Sequence, residues 1–534
     1  MTQNSMNVIE ICAETFRMKS GQQPRLEVGM IYYQLFFIVL NTCIFAACQT
    51  LIAEDFAGPS FHPLPGMNSE TDEQSVSENL SKGPLLFLGA VSCSSSNCHG
   101  SFKSTAPLSS LSYTIWQRHD PHAQAYRTLT SERSQRIAEK LKLESPAEKS
   151  AVCLNCHAAP QSGYEISESI SNETNLEFVS NGVSCEACHG QAVKWLEPHR
   201  SYAWNSSLWN VSRKNETGFK QLKSTVIRAE TCASCHIGSA GRDVNHDLIA
   251  AGHPRLLFEY TSYMDLYAQQ AAHWDIARDK KRSDGINSNQ AADHALNSWA
   301  IGQLVCSSHV QKLLHQRLEN SKAVWPELAE YSCYSCHHDL SRSESPAPNW
   351  RQAASDPKKG SIARAEFYSL FDRVILESTG LDTDIDSLSK LELLNTQVDQ
   401  MKPQHRDQML ELSASVSDQL DLRIQQYLSE PKNLVELRKN VLSDLLKQEH
   451  LQSIQSWDVA TQYFLALSQL QTESFDSQQH SQSLMALQTI RANLAFPTLQ
   501  LDHPENQQTH LINSPQWDSP HPLLIIRHEL KSLR

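Results

Sequence analysis

The sequence has no excess of basic residues. Its 46 Lys and Arg face 59 Asp and Glu, which gives a formal net charge of −13. A protein that binds nucleic acid needs a basic face to displace the counterions of the phosphates. The charge balance therefore argues against a nucleic-acid partner.

Cysteine is also too dilute for a small fold held together by disulfides. The chain has 14 Cys in 534 residues, whereas disulfide scaffolds are far denser in Cys. Apolar residues at 40% and charged residues at 20% are typical of a globular chain. The length suits two to four domains, so the positions of the cysteines carry the information.

Long apolar runs are nearly absent as well, and residues 31–48 form the one exception. Gln34 and Asn41 interrupt this run, which favours the apolar part of a signal peptide over a spanning helix. A start at Met18 or Met30 would leave a short signal. We expect residues 1–53 to act as an export signal or a membrane anchor, and residues 54–84 to form a flexible linker.

Four segments repeat the pattern Cys-x-x-Cys-His, at residues 153–157, 185–189, 232–236 and 333–337. At this chain's Cys and His frequencies, chance would give about 0.02 such matches. The spacing lets two thiols form thioethers with neighbouring vinyl groups of one haem, and the following His then binds the iron. The pattern predicts covalently attached haem c.

One further segment, residues 93–99 (CSSSNCH), has four residues between its cysteines. The longer loop can bulge while its ends reach the same two vinyl groups, so we expect five haems. The predicted haem-binding cysteines are Cys93, Cys98, Cys153, Cys156, Cys185, Cys188, Cys232, Cys235, Cys333 and Cys336. The predicted proximal iron ligands are His99, His157, His189, His236 and His337.

Zinc binding and thiol redox chemistry are the two alternatives to haem for these cysteines. Zinc ribbons pair Cys-x-x-Cys units, but they need no His after each second Cys, and the gaps here are long and uneven. Thioredoxin-type redox pairs would not occur five times. Haem is therefore favoured and zinc is the remaining alternative. Cys306 lies in an apolar stretch and is expected to be an inert buried thiol.

The residues before the motifs predict local structure. Ser92, Ser184, Thr231 and Ser332 directly precede the first Cys, and Ser and Thr are favoured N-caps. Each of these motifs should therefore open a short helix. Cys153 instead follows a capping box at residues 145–148 (SPAE), which places its motif inside a helix that has already begun.

Several phrases around the motifs resemble the multihaem cytochrome c-554/c-552 family. They are residues 120–126 (DPHAQAY), 182–190 (GVSCEACHG) with 195–199 (WLEPH), 243–256 (DVNHDLIAAGHPRL) and 325–338 (WPELAEYSCYSCHH). The resemblance spans about residues 88–340. It implies a covalent multihaem protein outside the cytoplasm that moves electrons. The chain departs from the small members in having a fifth site and a long haem-free C-terminal half.

The second axial position of each iron decides between carrier and enzyme. A haem that only transfers electrons usually has both positions filled, whereas substrate chemistry needs an open one. We favour as distal ligands His122, His199, His246 and His253, each in a family-like phrase, and His338, which follows a proximal His. His119 and His273 are reserves, and a surface or core role is the alternative for each.

The C-terminal half has helical periodicity. Residues 341–361 form an expected linker, and apolar stripes begin at Phe367, Met409, Leu434 and Trp457. Gly380 should end the first helix, and Ser456 should cap the last of the four. These stripes form either a docking surface or a helical cap against the haem region, and the cap is preferred.

The sequence thus predicts a mainly α protein with much irregular structure. Residues 85–340 would form a pentahaem cytochrome c domain and residues 362–534 a helical haem-free region. The preferred function is electron transfer by an exported, periplasmic protein with redox partner proteins, whose donor and acceptor stay open. The alternative is an oxidoreductase that acts on a small nitrogen or sulfur compound at one open haem. A haem-bearing scaffold is a weaker third possibility.

Overall fold

The protein is described by a computed structural model. The described residues are 88–103, 105–158, 179–270, 288–320, 325–333, 364–381, 385–400, 402–429, 433–454, 456–470, 477–494 and 521–533. They all belong to one compact unit, Pro84–Arg534.

The fold is mainly α, as predicted. Over the described ranges no strand is formed, and two isolated bridges join Ser239 to Arg242 and Tyr331 to Arg364. The helices are α1 Leu108–His119, α2 Ala125–Thr128, α3 Glu132–Lys140, α4 Ala151–His157, α5 Cys185–His189, α6 Val211–Glu216, α7 Thr225–His236, α8 His246–Ala251, α9 Tyr260–Gln270, α10 Ser288–Glu319, α11 Asp372–Thr379, α12 Ile385–Asp399, α13 Arg406–Ser429, α14 Leu434–Leu445, α15 Gln448–Ser453, α16 Trp457–Leu470, α17 Ser477–Leu494 and α18 His521–Ser532. Short 3₁₀ turns lie at Ala90–Cys93, Pro121–Gln124, Ala147–Lys149, Ala192–Lys194, Pro198–Arg200, Tyr202–Asn205, Leu328–Glu330 and Pro403–His405.

The region from α1 to α6 has short helices and small apolar clusters instead of one large core. One cluster is built on Leu129 and Leu154, and another on Trp195 and Trp204. Such small clusters bury little apolar area, so they stabilise this region less than a continuous core would.

A large core begins at α7 and extends through the C-terminal helices. α10 packs along α13 and also against α7 and α16. Fully buried Trp299 and Leu304 of α10 share this core with Met409 of α13 and Leu467 of α16. Apolar residues from both sides of the expected linker therefore lie in one core, and the linker, residues 341–361, falls outside the described residues.

The ends of the C-terminal helices follow local chemistry. Gly380 ends α11 with φ 68°, a left-handed conformation that costs Gly little, so that prediction is confirmed. The hydroxyl of Ser456 accepts a hydrogen bond from the amide of Val459 at 3.2 Å, which confirms the cap of α16. The first stripe was predicted to be helical from Phe367, but α11 begins at Asp372, and Phe367 is buried from a turn.

Residues 31–48, which carry the predicted signal or anchor, lie outside the described residues. Within the part of the chain that the structure describes, no helix combines the length and the apolar character that crossing a bilayer requires.

Candidate haem centre

A single large cavity collects most of the predicted haem ligands. Its volume is about 1680 Å³, whereas a pocket for one drug-sized ligand holds about 300–1,000 Å³. The cysteines and proximal histidines of four motifs line it, namely Cys93, Cys98, His99, Cys153, Cys156, His157, Cys185, Cys188, His189, Cys232, Cys235 and His236. The cavity is therefore large enough for more than one bulky group and carries the donors that haem c requires.

The motifs reach this cavity from different kinds of local structure. Cys185–His189 forms the short helix α5 behind Ser184, as predicted, although the Ser184 side chain makes no cap hydrogen bond. Thr231 was predicted to open a helix, but it lies inside α7, which the Ser224 side chain caps seven residues earlier. Cys153 lies inside a helix that has already begun, as predicted, because α4 begins at Ala151. The capping box does not start this helix and forms only a 3₁₀ turn.

In chain order the five motifs are residues 93–99, 153–157, 185–189, 232–236 and 333–337. Gly190, directly after the third motif, has a conformation that other residues rarely adopt. Its φ is +82°, and a Cβ there would lie 2.0 Å from the carbonyl oxygen of Gly218. This close approach lets the amide of Lys220 donate to the carbonyl of His189 at 2.9 Å. Glycine at this position therefore holds the 218–220 segment against the motif.

Three proximal histidines each face one of the favoured distal candidates across the cavity. The ring centroids are 6.4 Å apart for His99 and His199, 6.4 Å for His157 and His253, and 6.1 Å for His236 and His122. A metal–nitrogen bond of about 2 Å, with about 1.1 Å from nitrogen to ring centroid, puts two imidazoles on opposite sides of one metal about 6.2 Å apart. The observed distances therefore fit a six-coordinate iron between each pair.

Hydrogen bonds determine which nitrogen of each imidazole is available to bind a metal. The Nδ1 of His99 lies 2.6 Å from the Ser109 carbonyl oxygen, and that of His253 lies 2.8 Å from the Pro254 carbonyl oxygen. A carbonyl only accepts, so each Nδ1 carries a proton, and the lone pair of the neutral imidazole is then on Nε2. The Nδ1 of His157 likewise lies 3.0 Å from the Ala125 carbonyl.

Burial also keeps several imidazoles neutral. It lowers the pKa of His157 and of His253, and it lowers the pKa of His236 to about 4, with the nearby His122 adding to that effect. A neutral imidazole is the form that binds a metal. These three imidazoles are therefore in the form that can bind a metal at neutral pH.

His122 differs from the others because its Nδ1 contacts a carboxylate. Asp120 Oδ1 lies 2.9 Å from this nitrogen. Burial alone would lower the pKa of His122, but the hydrogen bond and charge of Asp120 raise it above the usual value. Asp120 was not singled out from the sequence, although its place two residues before His122 in the phrase DPH was a usable signal.

His189 faces an aromatic ring. The centroid of Phe219 lies 6.2 Å from that of His189, with 16° between the ring planes, and Phe219 also packs against Trp195 and Trp204. A phenyl ring has no lone pair to offer to iron. Phe219 was also missed at the sequence level, because nothing in its local pattern distinguishes it from a core residue.

Thiols from different motifs lie close enough to show which sites are neighbours. The proximity of these thiols shifts their pKa values in opposite directions: the pKa of Cys93 is lowered and that of Cys185 is raised, and the pKa of Cys235 is lowered and that of Cys156 is raised. Cys235 also contributes to the raised pKa of Cys188. The first motif therefore lies near the third, the third near the fourth, and the fourth near the second.

The fifth motif is described only as far as Cys333, and Cys336, His337 and His338 lie outside the described residues. Glu327, six residues before Cys333, accepts a hydrogen bond from the amide of His246 at 2.8 Å. Cys333 interacts electrostatically with Arg255, two residues after His253. His246 thus lies beside the fifth motif and is not part of the large cavity. Of the reserve candidates, His119 is exposed and His273 is outside the described residues.

Residues 92–190 match the family model of cytochrome c554 and c-prime. This range holds the first three motifs and is shorter than residues 88–340, over which the phrases resemble that family. No curated protein and no solved structure matches the chain significantly. The haem-type motifs that line the cavity agree with this match. Over residues 92–190 the chain is similar to the cytochrome c554 family.

Proposed function

We propose that this protein is an exported multihaem cytochrome that carries electrons through five covalently bound haems. The observation that carries the proposal is the set of three imidazole pairs, 6.1–6.4 Å apart, in one cavity lined by four haem motifs. Ten cysteines form the thioethers, and His99, His157, His189, His236 and His337 are the proximal ligands.

The distal ligands follow from the facing rings. His199 serves the first site, His253 the second and His122 the fourth. Their imidazoles would hold each iron from the side opposite the proximal ligand and would leave no position for small ligands or water. Haem bound between these imidazoles would supply one-electron chemistry, and imidazoles fixed by their hydrogen bonds would hold it with little change in geometry.

The thiol contacts support an order for the sites. The motifs of the first, third, fourth and second sites lie near one another in that order, and Cys333 of the fifth motif interacts with Arg255, two residues after His253. This order supports a single chain of sites, which a carrier between two partner proteins requires. His246 is the distal ligand that we assign to the fifth site, with His338 as the alternative.

Export is part of the same proposal. Residues 31–48 supply the signal, and maturation outside the cytoplasm fits covalent haem attachment and the family resemblance. The electron donor and the electron acceptor are redox partner proteins.

Electron paramagnetic resonance of the oxidised full-length protein tests the ligand assignment. Two imidazoles on an iron make it low-spin, so we expect low-spin signals from at least the first, second and fourth sites. Signals that integrate mainly to high-spin iron would contradict the carrier function.

A second candidate function is favoured by the contact between His189 and Phe219. A phenyl ring at the third site would leave room for a small nitrogen or sulfur compound there, as an oxidoreductase requires. One high-spin haem per chain in the unaltered protein, lost in Phe219→His, would support this function. Carbon monoxide that binds no haem of the unaltered reduced protein would rule it out.

A further inference from the structure

We propose that Asp120 is a positioning residue that sets the reduction potential of a single haem, the one held between His236 and His122. This inference rests on the proposed function, because it takes His122 as an iron ligand. It goes further in assigning a role to a carboxylate that binds neither iron nor haem.

The carboxylate of Asp120 is held firmly against His122. Asp120 is 3% exposed, and its Oδ1 accepts hydrogen bonds from both the amide and the Nδ1 of His122, each at 2.9 Å. The other oxygen, Oδ2, accepts a hydrogen bond from the hydroxyl of Tyr267 in α9. Three donors thus fix one buried carboxylate, and one of them is the imidazole itself.

The other distal candidates in the cavity have neutral acceptors. The Nδ1 groups of His199 and His253 donate to the backbone carbonyls of Leu196 and Pro254. A hydrogen bond to an ionised acceptor is about twice as strong as one between neutral groups. Among the three imidazole pairs, the contact with Asp120 therefore distinguishes the pair at the fourth site.

The direction of the effect follows from charge. A carboxylate on the outer nitrogen raises the basicity of an imidazole ligand. A more basic ligand, with a negative charge behind it, stabilises oxidised iron over reduced iron. Reduction adds one electron and transfers no atom, so the effect is a lower reduction potential at this site.

Tyr267 gives the inference a second, opposite test. Its hydroxyl draws electron density from the same carboxylate. Removing that hydroxyl leaves more negative charge for His122. Tyr267→Phe should therefore lower the potential that Asp120→Asn raises.

The experiment is a spectroelectrochemical redox titration of the full-length holoprotein and its variants. In Asp120→Asn the amide oxygen can keep both bonds to His122, and the amide nitrogen can donate to Tyr267, so the charge is the main change. We expect the equilibrium constant for reduction of one haem to rise at least tenfold, which is about 59 mV for one electron. Tyr267→Phe should lower that constant about threefold, as the net value of one hydrogen bond allows.

Thr128→Val is the matched control, because it removes a neutral contact, 3.0 Å long, from the Nδ1 of His157. It should leave the equilibrium constant for reduction of every haem within about twofold of the wild-type value, which is close to the effect of the weakest net hydrogen bonds. Potentials that stay unchanged in Asp120→Asn, or one that falls, would overturn the inference. Should Asp120→Asn not incorporate haem, Tyr267→Phe decides alone: a lower potential supports the inference, and an unchanged or higher one overturns it.

His122→Ala separates this inference from the function on which it rests. A new high-spin haem in that variant supports His122 as a ligand, whatever Asp120 does. The absence of such a haem would overturn the ligand assignment and the inference with it.

Discussion

The pairing of His157 with His253 gives a sharp test of the haem assignment. His253→Ala removes one imidazole, 6.4 Å from its partner. The loop around it has bonds that do not need the side chain: the amide of His253 donates to Leu248 at 3.0 Å, and Arg133 donates to the Gly252 carbonyl at 2.6 Å. The loss of one buried hydrogen-bonding group costs about 1–3 kcal/mol of stability, which a folded domain tolerates.

The expected signal is set by stoichiometry. One of five sites loses its distal ligand, so about a fifth of the iron should become high-spin, and about one carbon monoxide should bind per reduced chain. Electron paramagnetic resonance and a carbon monoxide titration measure these two quantities. Unchanged spin state and unchanged ligand binding in His253→Ala would refute the pairing.

The matched control is His119→Ala. His119 ends α1, is exposed and does not line the cavity. Its removal should produce neither high-spin iron nor carbon monoxide binding. A response as large as that of His253→Ala would show that the assay reports general damage to the fold.

Three further predictions concern attachment, export and stability. Replacing Cys93 and Cys98 together with Ala should lower the haem content from five to four per chain; unchanged content would remove the first site from the assignment. Deleting residues 1–53 should give an apoprotein, because attachment follows export, and normal haem loading of that truncation would contradict the assigned localisation. Burial raises the pKa of Asp372 to about 7, whereas an unfolded Asp ionises near pH 3.9, so the wild type should lose stability as the pH rises from about 4 to about 7. Asp372→Asn avoids this loss, so its free energy of unfolding relative to the wild type should increase by about 4 kcal/mol over that window and then level off. Denaturant titrations at pH 4 and pH 8 measure this difference, and a relative decrease would contradict the raised pKa of Asp372.

The features that the sequence predicts well depend on residues close together in the chain. Gly380 ends α11 and Ser456 caps α16 because each acts within one helical turn. Thr231 shows the limit of the same rule. Ser224 caps the helix seven residues earlier, so Thr231 already lies inside that helix and does not begin a new one.

The arrangement of the site depends on contacts far apart in the chain. His157 meets His253 across 96 residues, and nothing in either phrase identifies the other as its partner. Spacing also gives no hint that His246 lies beside Glu327. The residue types of the centre were therefore predictable, whereas their pairing required the fold.

The most direct test of the account is the amount of haem that stays with the polypeptide. Acid-acetone extraction of the full-length protein, followed by a pyridine haemochrome assay of the precipitate, measures covalent haem per chain. Covalent attachment at five sites predicts an extract free of haem and a precipitate that holds five haems per chain. Haem released into the acetone, or a precipitate with none, would contradict it.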